Sequence, residues 1–158
     1  MSIFYYKTEQ LLTIDSKISW DFFSSAENLA LITPPGMDFR ILTSLEGREI
    51  YEGMQIDYTV KPLFGLKFHW KTEICKVNKS LLFIDRQLKG PYKLWEHTHT
   101  FIKKGNGMLV KDEVKYQLPF GIIGNIMHFL IVRKKIKDIF IYRENILKQL
   151  FESNGNSN

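Results

Sequence analysis

Hydrophobic and polar residues alternate along most of the chain, which is the pattern of strands that bury one face. Strand-like runs cover residues 3–14, 39–44, 54–62, 66–77, 81–89, 92–103 and 108–118. The later runs are separated by short segments rich in turn residues, so we expect neighbouring strands to pair antiparallel. Two short helices are predicted after the first run. The second covers Ala26 to Ile32 and is stopped by Pro34, Pro35 and Gly36, because proline cannot continue a helix.

After Pro119 the spacing of the apolar residues changes from two to three or four, which predicts a helix. The apolar positions are Ile123, Met127, Leu130, Ile136, Phe140, Ile146, Leu147 and Leu150. No proline interrupts the chain from Phe120 to about Phe151, so this helix would be on the order of 45 Å long. Gly121 and Gly124 at its start are better explained by close packing than by phosphate binding, because no Lys-Ser/Thr pair follows them.

This order of elements predicts the fold class. A strand, two short helices, a meander of strands and one long helix form an α+β layer architecture. We expect a curved antiparallel sheet of about six to seven strands around the C-terminal helix, enclosing a mostly apolar cavity. We predict a single domain over residues 1–151 and a disordered tail over residues 152–158, where the composition is polar.

Composition narrows the class of protein. Aromatic residues make up 14% of the chain, which suits an apolar pocket or a bulky core. The single cysteine, Cys75, excludes an intramolecular disulfide and a cysteine-based zinc cluster. No basic segment followed by an apolar one opens the chain, and the apolar stretch of residues 120–132 is too short to span a bilayer, so we predict a cytoplasmic location.

The net charge is +5, and four basic residues cluster in the helix at Arg133, Lys134, Lys135 and Lys137. The simplest interpretation is the solvated face of a helix. Contact with anionic lipid headgroups is an alternative. No nucleic-acid-binding motif accompanies the cluster, so we do not predict a nucleic-acid partner.

Candidate chemistry lies on the last two strand-like runs. Alternation places Trp95, His97 and His99 on one face of residues 92–103, and Asp112 and Tyr116 on one face of residues 108–118. A two-residue turn through Gly105-Asn106 or Asn106-Gly107 brings these faces together. His99 then lies beside or diagonal to Asp112, and His97 lies near Val114 or Tyr116.

Three roles remain open for this polar group. It orients the polar end of a ligand, it is an internal hydrogen-bond network, or it is catalytic. In the catalytic case His97 or His99 is the base, Asp112 orients it and Tyr116 is an acid. A metal held by His97, His99 and Asp112 is disfavoured because no second set of ligands is evident, and we predict no metal and no cofactor.

The register of residues 81–89 is ambiguous. Phe83, Asp85 and Gln87 form one face, and the opposite face carries Leu82, Ile84, Arg86 and Leu88. A tight turn at Gly90-Pro91 would place the second face beside the histidines, and a one-residue bulge would place the first face there.

Two spaced patterns resemble a bacterial branch of the START and polyketide cyclase/dehydrase-like superfamily, often called SRPBCC. The first comprises Phe83, Asp85, Gln87, Gly90, Pro91, Trp95, His97, His99 and Phe101. The second comprises Asp112, Val114, Tyr116, Leu118, Pro119, Gly121 and Gly124, followed later by Ile139, Phe140 and Arg143. The resemblance covers nearly the whole chain. It implies a helix-grip fold, and it implies that Asp85 and Gln87 face the cavity, which favours the bulged or longer turn near Gly90.

The function that we predict is binding of a small hydrophobic ligand, such as a lipid, a fatty acyl chain or a polyketide-like molecule. Predicted walls are Phe68, Trp70, Trp95, Ile126 and Leu130, although Trp70 would serve equally well in a core. Predicted orienting residues are Asp85, Gln87, His97, His99, Asp112 and Tyr116. Alternatives are a cyclase or dehydratase that uses the histidines, and a protein that contacts membranes transiently between Phe120 and Lys137.

Overall fold

The computed structural model describes residues 2–152, and it contains one seven-stranded antiparallel sheet in the order β1-β7-β6-β5-β4-β3-β2. The strands are β1 (Phe4–Leu12), β2 (Arg40–Ile41), β3 (Gln55–Leu63), β4 (Leu66–Asn78), β5 (Leu82–Lys89), β6 (Leu94–Lys104) and β7 (Gly107–Gln117). The helices are α1 (Ser16–Phe23), α2 (Gly121–Met127) and α3 (Arg133–Glu152), with a π-helical segment at His128–Val132 and 3-10 turns at Ala26–Leu29 and Pro35–Met37. The predicted α+β helix-grip architecture is confirmed.

The segment between β1 and β3 departs most from the prediction. Helix α1 begins after Asp15, whose side chain accepts a hydrogen bond from the backbone N–H of Ile18 at 2.8 Å and so caps the helix. The second predicted helix is only a 3-10 turn at Ala26–Leu29. Strand β2 has only two residues, Arg40 and Ile41, which pair with Thr59 and Tyr58 of β3.

The C-terminal helical run is continuous from Gly121 to Glu152, as predicted. The π-helical segment His128–Val132 lies within it, between α2 and α3. Within residues 2–152, no helix is long and apolar enough to cross a membrane. Glu152 is the last residue of α3, and the remainder of the predicted tail, residues 153–158, lies outside the described residues.

Helix α3 packs across the concave face of the sheet through one stripe of apolar side chains. Val132, Ile136, Phe140 and Leu147 are all at least 95% buried and recur at steps of four or more residues, which keeps them on one side of the helix. Gln10 of β1 donates a side-chain hydrogen bond of 3.0 Å to the backbone carbonyl of Glu144 in α3. The helix is thereby fixed over the sheet while space remains between the two layers.

The turn between β6 and β7 determines which residues meet on the cavity side. Lys104 pairs with Gly107, so the turn residues are Gly105 and Asn106. This is one of the two predicted turns, and it places His99 directly opposite Asp112 and His97 opposite Val114, as expected.

Candidate functional site

A cavity of about 160 Å³ lies between the sheet and α3, and most of its lining is apolar. Tyr58, Trp70, Tyr92 and Trp95 form an aromatic group in its wall, with neighbouring ring centroids 4.7–5.9 Å apart. An engineered protein cavity of about 150 Å³ holds benzene, so this space accepts a ligand with roughly one ring.

The polar part of the wall is built by three adjacent strands. Asp85 of β5 pairs with His97 of β6, and His99 of β6 pairs with Asp112 of β7. The side chains bond diagonally. His97 Nε2 donates to Asp112 Oδ1 at 2.6 Å, and His99 Nε2 donates to Asp85 Oδ2 at 2.9 Å. Each carboxylate therefore fixes an imidazole on the neighbouring strand.

His99 also contacts the second carboxylate, because its Nδ1 lies 3.2 Å from Asp112 Oδ1. His97 Nδ1 lies 4.0 Å from Asp85 Oδ2, which is beyond hydrogen-bond distance. The two imidazole rings are in contact, with centroids 3.7 Å apart. His99 is therefore held between two carboxylates, whereas His97 is bonded at one nitrogen and presents the other towards the cavity wall.

These contacts separate the pKa values of the two histidines. Burial lowers the pKa of His97, and the neighbouring charge on His99 adds to this effect. Burial also opposes protonation of His99, but hydrogen bonds to Asp112 and Asp85 outweigh it and raise the pKa of His99. The cluster thus favours a cationic His99 and a neutral His97.

Asp85, His97, His99, Asp112 and Arg143 form one charge cluster, and Asp112 lies at its centre. Burial would raise its pKa, but hydrogen bonds from His97 and His99 hold the pKa of Asp112 well below its usual range. The guanidinium of Arg143 lies beside the same oxygen, with Nη1 3.5 Å from Asp112 Oδ1. Asp112 does not itself line the cavity; it holds the histidines and Arg143 that do.

Arg143, one turn beyond Phe140 in α3, is a site residue that the sequence analysis did not select. It lines the cavity, is only 7% exposed and lies over the Phe140 ring, with 4.7 Å between its Cζ atom and the ring centroid. Its Nε has no hydrogen-bond partner among the described residues. A buried donor left in this way costs about 1–3 kcal/mol. Arg143 belongs to the family pattern found in the sequence, which gave it no role in the site.

The register of β5 is the one implied by the family pattern. Arg86 pairs with Glu96, whereas a tight Gly90-Pro91 turn would pair it with Trp95, so the register is shifted by one residue. Residues 90–93 join β5 to β6. Phe83 and Asp85 consequently face the cavity. The tight-turn alternative, which placed Leu82, Ile84, Arg86 and Leu88 beside the histidines, is wrong.

Gln87 does not line the cavity, in contrast to what the family pattern implied. Its side-chain Nε2 donates to the backbone carbonyl of Tyr92 at 2.6 Å, and its Oε1 accepts from the backbone N–H of Tyr92 at 3.3 Å. Gly90 leaves room for this amide, since a Cβ at that position would lie 2.3 Å from Gln87 Oε1. Gln87 therefore determines the loop that sets the β5 register.

The structure brings five of the predicted binding residues to the cavity wall and leaves six away from it. The lining five are Trp70, Asp85, Trp95, His97 and His99; the others are Phe68, Gln87, Asp112, Tyr116, Ile126 and Leu130. Ile126 and Leu130 are 53% and 70% exposed, so the prediction that they form cavity walls is corrected. The reason is that the buried face of the helix start carries Gly124, His128 and Val132 instead.

Tyr116 belongs to a second polar pair. Its hydroxyl and His128 Nδ1 share a buried hydrogen bond of 3.1 Å, and the His128 ring stacks on Phe4 with 3.5 Å between centroids. Burial raises the pKa of Tyr116 to about 12. Burial and the neighbouring charge of Arg133 lower the pKa of His128. Periodicity could have indicated His128, which lies four residues after the buried Gly124.

A metal ion would find one set of donors here. One atom from each of Asp85, His97 and His99 lies within 4.8 Å of the others. Two imidazoles and a carboxylate are ligands that zinc and non-haem iron accept. The third potential ligand in this set is Asp85, whereas the sequence suggested Asp112 as the third ligand. His97 could coordinate through its unbonded Nδ1, whereas both ring nitrogens of His99 already contact carboxylates, so metal binding would require a His99 contact to break.

Six large apolar residues at the start of the helical run form an exposed patch, which we call the helix-start surface. They are 53–80% exposed and comprise Phe120, Ile122, Ile123, Ile126, Phe129 and Leu130. The basic residues Arg133, Lys134, Lys135 and Lys137 follow directly and are also exposed. Gly124 lies on the other side, where a Cβ would be 2.2 Å from the carbonyl oxygen of Pro119, which confirms close packing as its role. The same prediction is wrong for Gly121, where a Cβ would meet nothing within 4 Å and the φ of +56° favours glycine instead.

No family model and no curated protein matches the sequence. Solved structures do match. A START superfamily protein from Mycobacterium smegmatis aligns with a TM-score of 0.69 and 13% identity, over 94% of this chain and 97% of that one. A protein from Thermus thermophilus aligns with a TM-score of 0.67 and 17% identity, over 97% and 99%. Major latex-like protein 151 of Panax ginseng aligns with a TM-score of 0.67 and 12% identity, over 94% and 97%. The chain has the START-like helix-grip fold.

Proposed function

We propose that the protein binds a small hydrophobic ligand in the cavity between the sheet and α3. The observation that carries this proposal is the space itself, about 160 Å³ lined mostly by apolar side chains in a fold of 158 residues. Protein interiors normally pack without voids larger than a water molecule, so a space of this size under the helix needs an occupant or a use. START-like and major latex-like structural neighbours share the architecture that encloses it.

The polar groups give such a ligand an orientation. Asp85, His97, His99 and Arg143 lie on the wall of an otherwise apolar space, which is the usual composition of a small-molecule site. A ligand's apolar part would pack against the aromatic group around Trp70. Its polar end would then face the histidine cluster. The volume favours a compact molecule over a fully enclosed acyl chain.

Catalysis by the same cluster has weaker support. A neutral His97 with a free Nδ1 could accept a proton, so the structure favours His97 over His99 as a base. Tyr116, however, is bonded to His128 and does not line the cavity, which removes the predicted acid from the reaction space. We therefore keep ligand binding as the proposed function.

The test is to fill the cavity without changing the surface. Ile139 lines the cavity from α3, whereas Ile141 of the same helix is 44% exposed. We would purify the wild type, Ile139→Phe and the matched control Ile141→Phe, and compare them by native mass spectrometry followed by extraction of bound molecules. A bound molecule present in the wild type and Ile141→Phe but reduced in Ile139→Phe supports the proposal. Equal retention by all three proteins would contradict it.

A second function, contact with an anionic membrane surface, is supported by the helix-start surface. Six exposed large apolar side chains form an unusually concentrated patch for a monomeric protein. The adjacent basic residues match negatively charged headgroups, so an anionic bilayer is the occupant we propose. A ligand that partitions into membranes could be loaded at such a surface.

Vesicle sedimentation tests this second function. We expect binding to phosphatidylcholine vesicles that contain phosphatidylserine, weaker binding to pure phosphatidylcholine, and weakening by salt. Ile122→Ser combined with Phe129→Ser should abolish it. Leu81→Ser, which alters an exposed leucine in the β4–β5 turn, should not. Absence of vesicle binding, or dimerisation in solution that the same double substitution abolishes, would overturn the membrane assignment.

A further inference from the structure

We propose that the ligand carries a carboxylate and that Arg143 is the residue that binds it. This inference rests on the proposed function, because it concerns the polar end of the molecule that occupies the cavity. It names a ligand class, a compact apolar acid, and it assigns a binding role to a residue outside the set selected from the sequence.

The first argument is that Arg143 is buried without enough acceptors. A guanidinium has five N–H donors. In this structure one of them, on Nη1, approaches Asp112 Oδ1 at the long distance of 3.5 Å, and Nε has no partner among residues 2–152. The side chain is 9% exposed, so water outside the protein does not supply the missing acceptors. A carboxylate in the cavity would supply two oxygens in the fork geometry that guanidinium groups prefer.

The second argument is position. Arg143 lies on the cavity wall, and its guanidinium is fixed over the Phe140 ring. The Phe140 ring in turn contacts His97, with 5.6 Å between the ring centroids. The cation is therefore held beside the histidine cluster and has little side-chain entropy left to lose when a ligand binds.

The third argument is the type of polar atom that the wall leaves unused. Trp70 also lines the cavity, and its indole Nε1–H, a donor only, has no partner among the described residues. Trp70 and Arg143 thus both leave donors unpaired, whereas His97 Nδ1 offers a single acceptor. A ligand rich in acceptor atoms fits this wall better than one rich in donors.

The fourth argument is charge balance. The charged and titratable groups around the guanidinium are Asp112, Asp85, His97 and His99. With His99 protonated, the two carboxylates are offset by His99 and Arg143, so the cluster carries no net charge. An acid can enter this environment, and His97 can take up a proton to offset its charge.

The experiment uses three probes of nearly equal size that differ at one end: 4-ethylbenzoate, 4-ethylbenzamide and 4-ethyltoluene. Their affinities are measured by ¹H–¹⁵N NMR titration of the wild type, Arg143→Met and the control Arg133→Met, which removes an exposed arginine from the same helix. We expect wild type to bind the benzoate about tenfold more tightly than the benzamide. In Arg143→Met this preference should disappear while the affinity for 4-ethyltoluene is unchanged, and Arg133→Met should behave as wild type.

A measurement on the wild type alone tests the inference even if Arg143→Met does not fold. The Nε–H resonance of Arg143 should shift when 4-ethylbenzoate binds and stay in place when 4-ethyltoluene binds. If 4-ethyltoluene binds but the benzoate has no advantage, or if Arg143→Met keeps that advantage, the carboxylate inference is wrong and the cavity function stands. If none of the three probes binds the wild type, both the inference and the proposed function fail.

Discussion

Gln87 and Tyr92 are joined by two hydrogen bonds, at 2.6 Å to the Tyr92 carbonyl oxygen and at 3.3 Å from the Tyr92 N–H. This side chain replaces the backbone pairing that a tight turn would supply at the end of β5. Arg86 pairs with Glu96, where a two-residue turn would pair it with Trp95, and this one-residue shift directs Asp85 to the histidines. The charge cluster therefore depends on a glutamine outside it.

Substitution of Gly90 by alanine tests this dependence. The new Cβ would meet Gln87 Oε1 at 2.3 Å and displace the amide, so we expect a loss of about 1–2 kcal/mol in the free energy of unfolding. In a Gln87→Ala background the same substitution should cost much less, because the clashing group is gone. Chemical denaturation of the two single variants and the double variant measures this coupling. Gly36→Ala, where no atom lies within 4 Å of the added Cβ, is the control. Additive effects would show that Gln87 and Gly90 act independently.

Removal of the Asp112 charge should destabilise the protein more than any single surface charge. Asp112→Asn leaves His97, His99 and Arg143 without their shared anion in a buried site, and we expect a loss of about 3 kcal/mol. Asp57 is a matched control, because it also pairs with two basic groups, His69 and Lys71, but at the surface. Asp57→Asn should cost less than about 1 kcal/mol. Equal losses in urea denaturation would mean that the cluster contributes no more than an exposed ion pair.

Stability should pass through a maximum at about pH 6.5, the ordinary histidine pKa. Because the pKa of His99 is raised, its contribution is complete below the unfolded value and is lost as the pH rises through the folded pKa. The pKa values of His97 and His128 are lowered, so the unfolded chain binds protons there first and stability also falls as the pH decreases below the unfolded value. The lowered pKa of Asp112 adds a further loss at more acidic pH.

Thermal unfolding followed across this pH range checks the maximum. His99→Gln should remove most of the decline on the alkaline side, and His97→Gln should reduce the decline on the acidic side. A flat profile from about pH 6 to 9 in the wild type would contradict the assignment of the proton to His99.

The sequence was sufficient for the parts of the site that depend on strict alternation. Period two placed His97 and His99 on one face, and either predicted turn, Gly105-Asn106 or Asn106-Gly107, brought His99 beside or diagonal to Asp112. The structure has the first of these turns, with His99 opposite Asp112. Both statements concern local geometry, which a single strand and a short turn determine. The position of Asp85 needed the family pattern as well, because the register across a four-residue loop depends on side-chain bonds that alternation does not encode.

The helix was harder to predict, because it is apolar on several sides at its start. From Phe120 to Val132 almost every residue could face the sheet, so the three- and four-residue period selected Leu130 as readily as Val132. The structure buries Gly124, His128 and Val132 in steps of four, and the π-helical segment His128–Val132 lies at this point of the run. Arg143 was part of the family pattern, but the pattern gave it no role, and only the enclosing structure shows that it is buried in the cavity wall.

The last prediction compares Tyr116 with Tyr58. It tests whether only the tyrosine that lines the cavity affects ligand binding. Each is a tyrosine whose hydroxyl has a side-chain partner, His128 at 3.1 Å for Tyr116 and Thr72 at 3.3 Å for Tyr58. Tyr58 and Thr72 line the cavity, and Tyr116 does not. Replacement of either tyrosine by phenylalanine should lower the free energy of unfolding by about 1 kcal/mol, since one hydrogen bond is lost.

Ligand affinity should distinguish the two variants. In NMR titrations with 4-ethylbenzoate we expect Tyr116→Phe to bind as the wild type does, because its hydroxyl faces His128 and not the cavity. Tyr58→Phe should change the affinity measurably, because it alters a polar group in the cavity wall and frees the Thr72 hydroxyl. The opposite result, with Tyr116→Phe weakened about tenfold and Tyr58→Phe unchanged, would restore Tyr116 as a ligand-binding residue and imply that the bound state opens the protein towards α2.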